Sequence, residues 1–149
     1  MKKLLLLSMC VIGMASCGSL DTKSQTGLKG DWMISSVTYP GSDYIKVTSF
    51  DVADSKCFEG SSWKFVPNNN TGTMTLAKAG CPSFTSPIVW TITKEGAFTL
   101  KITEGEKAKR VSQGYFLQMR NQSESSFQLV DNVSVGGRNT EVVYQFTKM

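Results

Sequence analysis

The sequence predicts an all-β domain, a single up-and-down antiparallel β-barrel of about eight strands, and three observations carry that expectation. From Gly30 onward apolar residues recur at every second position, the period of a strand with one buried face. Each such run is bounded by Gly, Pro or Asn, the residues that make turns. No apolar run has helical spacing, and the connections are short enough for hairpins joined in sequence. Closing such strands into a ring removes the exposed edges that an open sheet would leave.

In chain order, Trp32, Ile34 and Ser36 share one parity of a first strand that ends near Tyr39, ahead of the turn Pro40-Gly41-Ser42. Ser36 and Thr38 are small and lie on that parity, so they are where a barrel interior would keep room for a ligand. Ile45 to Val52 alternates weakly and is the poorest strand of the set. Trp63 and Phe65, the turn Pro67-Asn68-Asn69-Asn70-Thr71-Gly72, and Met74 and Leu76 read as strand, turn, strand. Ile88, Trp90 and Ile92 lead through Lys94-Glu95-Gly96-Ala97 into Phe98, Leu100 and Ile102. Tyr115, Leu117 and Met119 follow, then Phe127 and Leu129, and Gly136-Gly137-Arg138-Asn139 turns the chain into Val142, Tyr144 and Phe146. Only Thr26 to Lys29 could make even one helical turn.

The N-terminus has a different character. Met1-Lys2-Lys3 precedes an apolar run from Leu4 to Met14, broken only by Ser8 and Gly13, and Ala15-Ser16 precede Cys17. Charged, apolar, small is the order of a secretory signal, and the run is shorter than the ~20 apolar residues a membrane span needs. Met14-Ala15-Ser16-Cys17 resembles the lipobox of bacterial lipoproteins, which implies cleavage after residue 16 and acylation of Cys17. The alternative is an ordinary signal cut nearby, leaving Cys17 a free thiol in an oxidising compartment. The lipid reading places the protein on the bacterial cell envelope, at the outer membrane, attached to the bilayer through its N-terminal lipid only. Residues 17–27 are polar and small and are expected to be a flexible tether, with one domain over residues 28–149 acting as a monomer.

Sixteen basic residues against twelve acidic ones give a formal charge of +4, and loss of Lys2 and Lys3 with the signal lowers it by two. A nearly neutral surface lacks the basic stripe of a nucleic-acid binder. Of the four cysteines, Cys10 leaves with the signal and Cys17 takes the lipid, so Cys57 and Cys81 remain as an even pair. They stand almost symmetrically about Asn69-Asn70, so a folded hairpin brings them together as a disulfide; two thiols that never meet are the alternative.

Several stretches resemble the lipocalin-like domain, specifically the short lipocalin-like lipoproteins of the Bacteroidetes type within the calycin superfamily. They are Leu28-Lys29-Gly30-Asp31-Trp32 at the first strand, Cys57-Phe58-Glu59-Gly60-Ser61-Ser62-Trp63-Lys64-Phe65, Asn69-Asn70-Thr71-Gly72, and the closing Tyr144-Gln145-Phe146-Thr147-Lys148. Gly30 would let the chain turn tightly into the strand and Trp32 would plug one end of the barrel. The resemblance implies a basic side chain over that ring, and Lys148 stands at the matching place, where the family more typically has arginine. The Thr-Asp-Tyr element of classical members is missing. With the Gly-x-Trp end sealed, the resemblance implies a small hydrophobic ligand entering at the other end, with Tyr39, Trp63, Trp90, Phe98 and Tyr115 as candidate contacts.

Catalytic chemistry has little to work with. There is no histidine, the usual general base and metal ligand. The pairs Asp51 with Asp54 and Glu104 with Glu106 stand among turn residues without an apolar wall. No enzyme activity, cofactor or metal is therefore expected. Two readings of function stand: a barrel that binds a small hydrophobic molecule, or a packed barrel whose loops contact an envelope protein or glycan. The state of the interior separates them, since an eight-stranded barrel is just wide enough to be filled by side chains or to hold one small ligand.

Overall fold

The computed structural model describes residues 19–42 and 45–149, so the expected signal segment and Cys17 lie outside the described residues. Eight strands close into a barrel. They are β1 (Gly30–Thr38), β4 (Ser62–Val66), β5 (Thr71–Leu76), β6 (Phe84–Ile92), β7 (Ala97–Ile102), β8 (Tyr115–Arg120), β9 (Ser126–Val135) and β10 (Arg138–Lys148). Each pairs antiparallel with the next, and β1 shuts the ring by pairing with both β10 and β4. This is the up-and-down barrel that the alternation predicts. The tightest hairpin, between β9 and β10, turns on Gly136 and Gly137, both at positive φ, which two-residue turns need to match strand twist.

The weakly alternating segment does not join the barrel. Thr48–Ser49 (β2) and Ala53–Asp54 (β3) form a miniature hairpin of their own, and with the 3-10 turn Ser55–Phe58 they belong to the long β1–β4 connection. Two-residue strands have too little ladder to compete for a place in the ring, and this segment instead packs Val47, Phe50, Ala53, Cys57 and Phe58 into the core. The Cys57–Cys81 disulfide is formed, with the two Cα atoms 5.7 Å apart, and ties this connection to the segment after β5.

Within β1 the expected parity holds only halfway. Ile34 pairs with Phe146 but Ser36 pairs with Gln145, so Ser35 is an extra residue, a β-bulge. A one-residue slip exchanges the faces of a strand. Trp32 and Ile34 point inward before the bulge and Val37 and Tyr39 after it, while Thr38 is exposed and Ser36 half-buried. The room expected at Ser36 and Thr38 is therefore occupied by Val37 and Tyr39.

A second correction concerns residues 17–27. The part from Ser19 onward lies against the barrel rather than forming a flexible tether, and a helix α1 (Thr22–Gly27) replaces the single turn expected at Thr26 to Lys29. Its anchors are polar, which is why apolar periodicity misses it. Asp21 caps the helix by accepting from the Ser24 amide at 3.1 Å, its own amide donates to the Ile92 carbonyl at 2.8 Å, and the buried Gln25 accepts from the Ile92 amide at 3.0 Å.

Inside, the barrel is filled by rings. Trp90 and Phe98 stack at 6.0 Å, Phe65 meets Trp90 edge-on at 5.2 Å, Phe127 stacks on Phe146 at 4.5 Å, and Trp63 meets Phe146 at 5.5 Å. Such offset and edge-to-face pairs add about 0.5–1.5 kcal/mol each beyond the area they bury.

Candidate functional site at the barrel mouth

The two ends of the barrel differ because different chain segments cross them. At the closed end Gly30, at φ +117, swings the chain from α1 into β1 in a conformation that side-chain-bearing residues rarely adopt. That turn sets Trp32 across from both Lys148 and Trp63. The Trp32 indole donates from Nε1 to the Leu28 carbonyl at 2.8 Å, Phe127 meets its ring edge-on at 4.8 Å, and Lys148 Nζ lies 5.5 Å from the ring centroid. The expected trio Gly30, Trp32 and Lys148 is thus brought together, with Leu28, the residue that caps the C-terminus of α1, accepting the indole hydrogen bond.

At the mouth the β1–β4 connection folds over the strand ends as a lid. Its root is fixed by the disulfide, by the hydrogen bond between the Tyr39 and Ser55 hydroxyls, by Lys56 donating from Nζ to the Val37 carbonyl, and by Lys56 lying 5.0 Å from the Tyr39 ring centroid. Its tip is the turn from Ser49 to Val52, closed by the Val52 amide donating to the Ser49 carbonyl at 3.0 Å. Both central residues, Phe50 and Asp51, have left-handed φ values of 54 and 53. For a residue as bulky as Phe this is a genuine outlier, costing roughly 1–2 kcal/mol.

The strain is offset by what Phe50 touches. Its ring enters the mouth and packs against Phe58 at 5.3 Å, Tyr115 at 5.1 Å and Tyr144 at 5.5 Å, and Ser49 Oγ shares a 2.5 Å hydrogen bond with the Tyr144 hydroxyl. Beside this plug, between the lid tip and the β7–β8 loop, lies a half-open cleft of about 440 Å³. Phe50, Val52, Phe84, Ile102, Val111 and Tyr115 supply its apolar wall, and Asp51, Glu104, Arg110, Ser112 and Gln113 its polar rim. Ligand pockets commonly measure about 300–1,000 Å³ and combine an apolar lining with a few polar groups.

The ionisable groups nearby are tuned mainly by burial. It pushes the Tyr115 hydroxyl up to about 12, with Asp51, whose carboxylate accepts from that hydroxyl at 3.4 Å, as the smaller cause. Burial raises Tyr144 and Tyr39 as well, each partly countered by its serine partner. Asp131, also raised by burial, acts on Tyr144 through its charge. These tyrosines remain neutral hydrogen-bonding groups at ordinary pH. No group of three or more His, Cys, Asp or Glu side chains able to hold a metal ion occurs among the described residues.

Of the five ligand contacts expected from the sequence, Tyr115 lines this cleft and Tyr39 lies beneath the lid root. Trp63, Trp90 and Phe98 belong to the ring-packed core, each at most 2% exposed. Sequence reasoning misses Phe50, Phe84, Ile102 and Val111 as site residues. They come from two separate connections and two strand ends, and no local motif marks them.

An eight-stranded up-and-down barrel, sealed at one end by a Gly-x-Trp corner and a basic side chain, defines a calycin-type domain. Residues 28–147 match the lipocalin-like domain family, and the chain belongs to it. No curated protein matches the chain. Among solved structures it is similar to a lipocalin-like protein from Bacteroides uniformis, at 13% identity and a TM-score of 0.51, over 83% of this chain and 99% of that one. It is also similar to a bovine odorant binding protein, a deswapped triple mutant, at 12% identity and a TM-score of 0.44, over 83% and 74% of the two chains. At 13% identity the likeness to the Bacteroides uniformis protein is one of fold.

Proposed function

We propose that this protein is an exported bacterial lipoprotein, held at the outer membrane through an acylated Cys17, that binds a small hydrophobic molecule at the barrel mouth. The observation that carries the binding half is the cleft of about 440 Å³ beside a strained aromatic plug. A barrel with rings packed along its axis has no room for a deep ligand, so the molecule occupies the mouth and reaches further in only as Phe50 gives way. Tyr115 and the rim at Ser112 and Gln113 offer polar partners, so the ligand has an apolar body and one polar end. Lipid anchoring rests on the lipobox-like Met14-Ala15-Ser16-Cys17.

Native purification followed by mass spectrometry should release an apolar small molecule, and an environment-sensitive fluorophore should bind with about micromolar affinity, near −8 kcal/mol. Val111→Asp, on the loop side of the cleft, should abolish fluorophore binding without unfolding the barrel. Absence of both an extractable molecule and fluorophore binding would favour the second reading, for which the filled interior speaks: a packed barrel whose loops contact an envelope protein or glycan. Growth with a labelled fatty acid tests the anchor, since Cys17→Ala should lose the label.

A further inference from the structure

We infer that the closed end of the barrel rests on phospholipid headgroups and that the mouth faces away from the bilayer; this builds on the acylation of Cys17 proposed above. The geometry begins at Ser19, whose carbonyl accepts from the Lys94 amide at 3.0 Å, and at Leu20, which bridges Thr93. Both contacts lie on the β6–β7 turn, at the end of the barrel that carries Trp32 and α1. Only Gly18 stands between Cys17 and Ser19, a reach of at most about 7 Å over the two residue steps. A lipid at Cys17 therefore cannot stand off on a long tether, and the β6–β7 turn is drawn to the membrane surface. The strands run lengthwise from there to the mouth, about 25 Å further out for strands of this length and tilt.

The surface so presented suits a headgroup layer. Lys23, Lys29 and Lys148 border a shallow depression of about 870 Å³, together with the neutral Ser24, Gln122 and Ser123 and a single acid, Glu124. Lysines match phosphate oxygens, and Lys or Arg side chains near an anionic surface are drawn to it. Leu20 and Met149, two of the large apolar side chains left exposed, are at the same end, Met149 through its amide donating to the Asp31 carbonyl at 3.1 Å. They can enter the interface beside the acyl chains. The orientation has a consequence for cargo: a ligand reaches the mouth from the aqueous side or from a partner, and is not drawn directly out of the bilayer that holds the protein.

The test uses full-length acylated protein, its acylation checked by intact mass, in vesicles of phosphatidylethanolamine and phosphatidylglycerol that carry a headgroup quencher. A fluorophore is placed on a single added thiol, Glu95→Cys in the β6–β7 turn or Gly136→Cys at the β9–β10 turn. The label at Glu95 should be quenched several-fold more than the label at Gly136, and Lys23→Gln with Lys29→Gln should reduce that difference. Equal quenching at the two sites, or stronger quenching at Gly136, in acylated protein would overturn the orientation alone. A mass without acyl chains would overturn the anchor and the orientation with it.

Discussion

Replacing Phe50 separates a plug from an ordinary core residue. The ring is 7% exposed and has three aromatic neighbours, so its loss in Phe50→Ala follows the usual cost of large core truncations, about 3–5 kcal/mol. A lid can settle into the space more readily than a barrel wall, which puts the expected loss near the lower figure, about 3 kcal/mol. Ala keeps the left-handed strain at φ 54, whereas Gly releases roughly 1–2 kcal/mol of it and gives back about 0.5–1 kcal/mol through the freer unfolded chain. Phe50→Gly should therefore be more stable than Phe50→Ala by about 0.75 kcal/mol at the middle of these ranges and by at most about 1.5 kcal/mol, the reverse of their order in regular structure. Urea unfolding with a common slope measures the difference. Both variants should bind the fluorophore more tightly than wild type, because the floor of the cleft drops to Phe58 and Tyr144. An Ala variant as stable as the Gly variant would refute the strain argument, and weakened binding in both would make Phe50 a ligand contact instead of a plug.

Replacing Cys57 and Cys81 together with Ala should cost roughly 2–5 kcal/mol and preserve the β circular-dichroism signature, since the bridge restrains a loop outside the barrel ladder; loss of that signature would count against this. Asp131→Asn should stabilise the fold at pH 7 and do little at pH 3. Burial raises the folded pKa of Asp131 above its unfolded value, so its contribution favours folding at low pH and is lost as pH rises through the folded pKa; equal effects at both pH values in thermal melts would refute it. Gln25→Ala should cost about 1–3 kcal/mol by leaving the Ile92 amide unpaired, and hydrogen exchange at Ile92 should quicken while exchange at Met74, nearer the mouth on the neighbouring strand β5, does not.

The barrel was legible because its physics is periodic. Trp63 with Phe65, Ile88 with Trp90 and Ile92, and Val142 with Tyr144 and Phe146 each bury one face, and a period of two survives without knowledge of any neighbour. Gly30, Trp32 and Lys148 were legible through the resemblance, and the Cys57–Cys81 bridge through an even count placed about a turn. The bulge at Ser35 was hidden because neighbouring serines give no apolar signal to show which of them has slipped. Helix α1 was hidden for a related reason: Asp21 and Gln25 hold it through hydrogen bonds to Ser24 and Ile92, and the latter contact spans 67 residues.

The mouth was least legible because its parts meet only after the ring closes. Phe50 comes from the β1–β4 connection, Phe84 and Ile102 from strand ends, and Val111 from the β7–β8 loop, and none is periodic with another. Their assembly also limits what the site can hold. Below the plug, Phe58 and Tyr144 meet at 6.2 Å, and Phe65 continues the stack of rings towards Phe127 and the sealed end. Movement of Phe50 can therefore deepen the cleft by about the depth of one ring before a ligand would have to displace core aromatics at about 3–5 kcal/mol each. The lid root is held by a disulfide while the tip is held by hydrogen bonds with the Tyr144 and Tyr115 hydroxyls and by ring contacts. The tip is thus the part that can yield, and a ligand of the proposed kind would be shallow, with its polar end toward the rim.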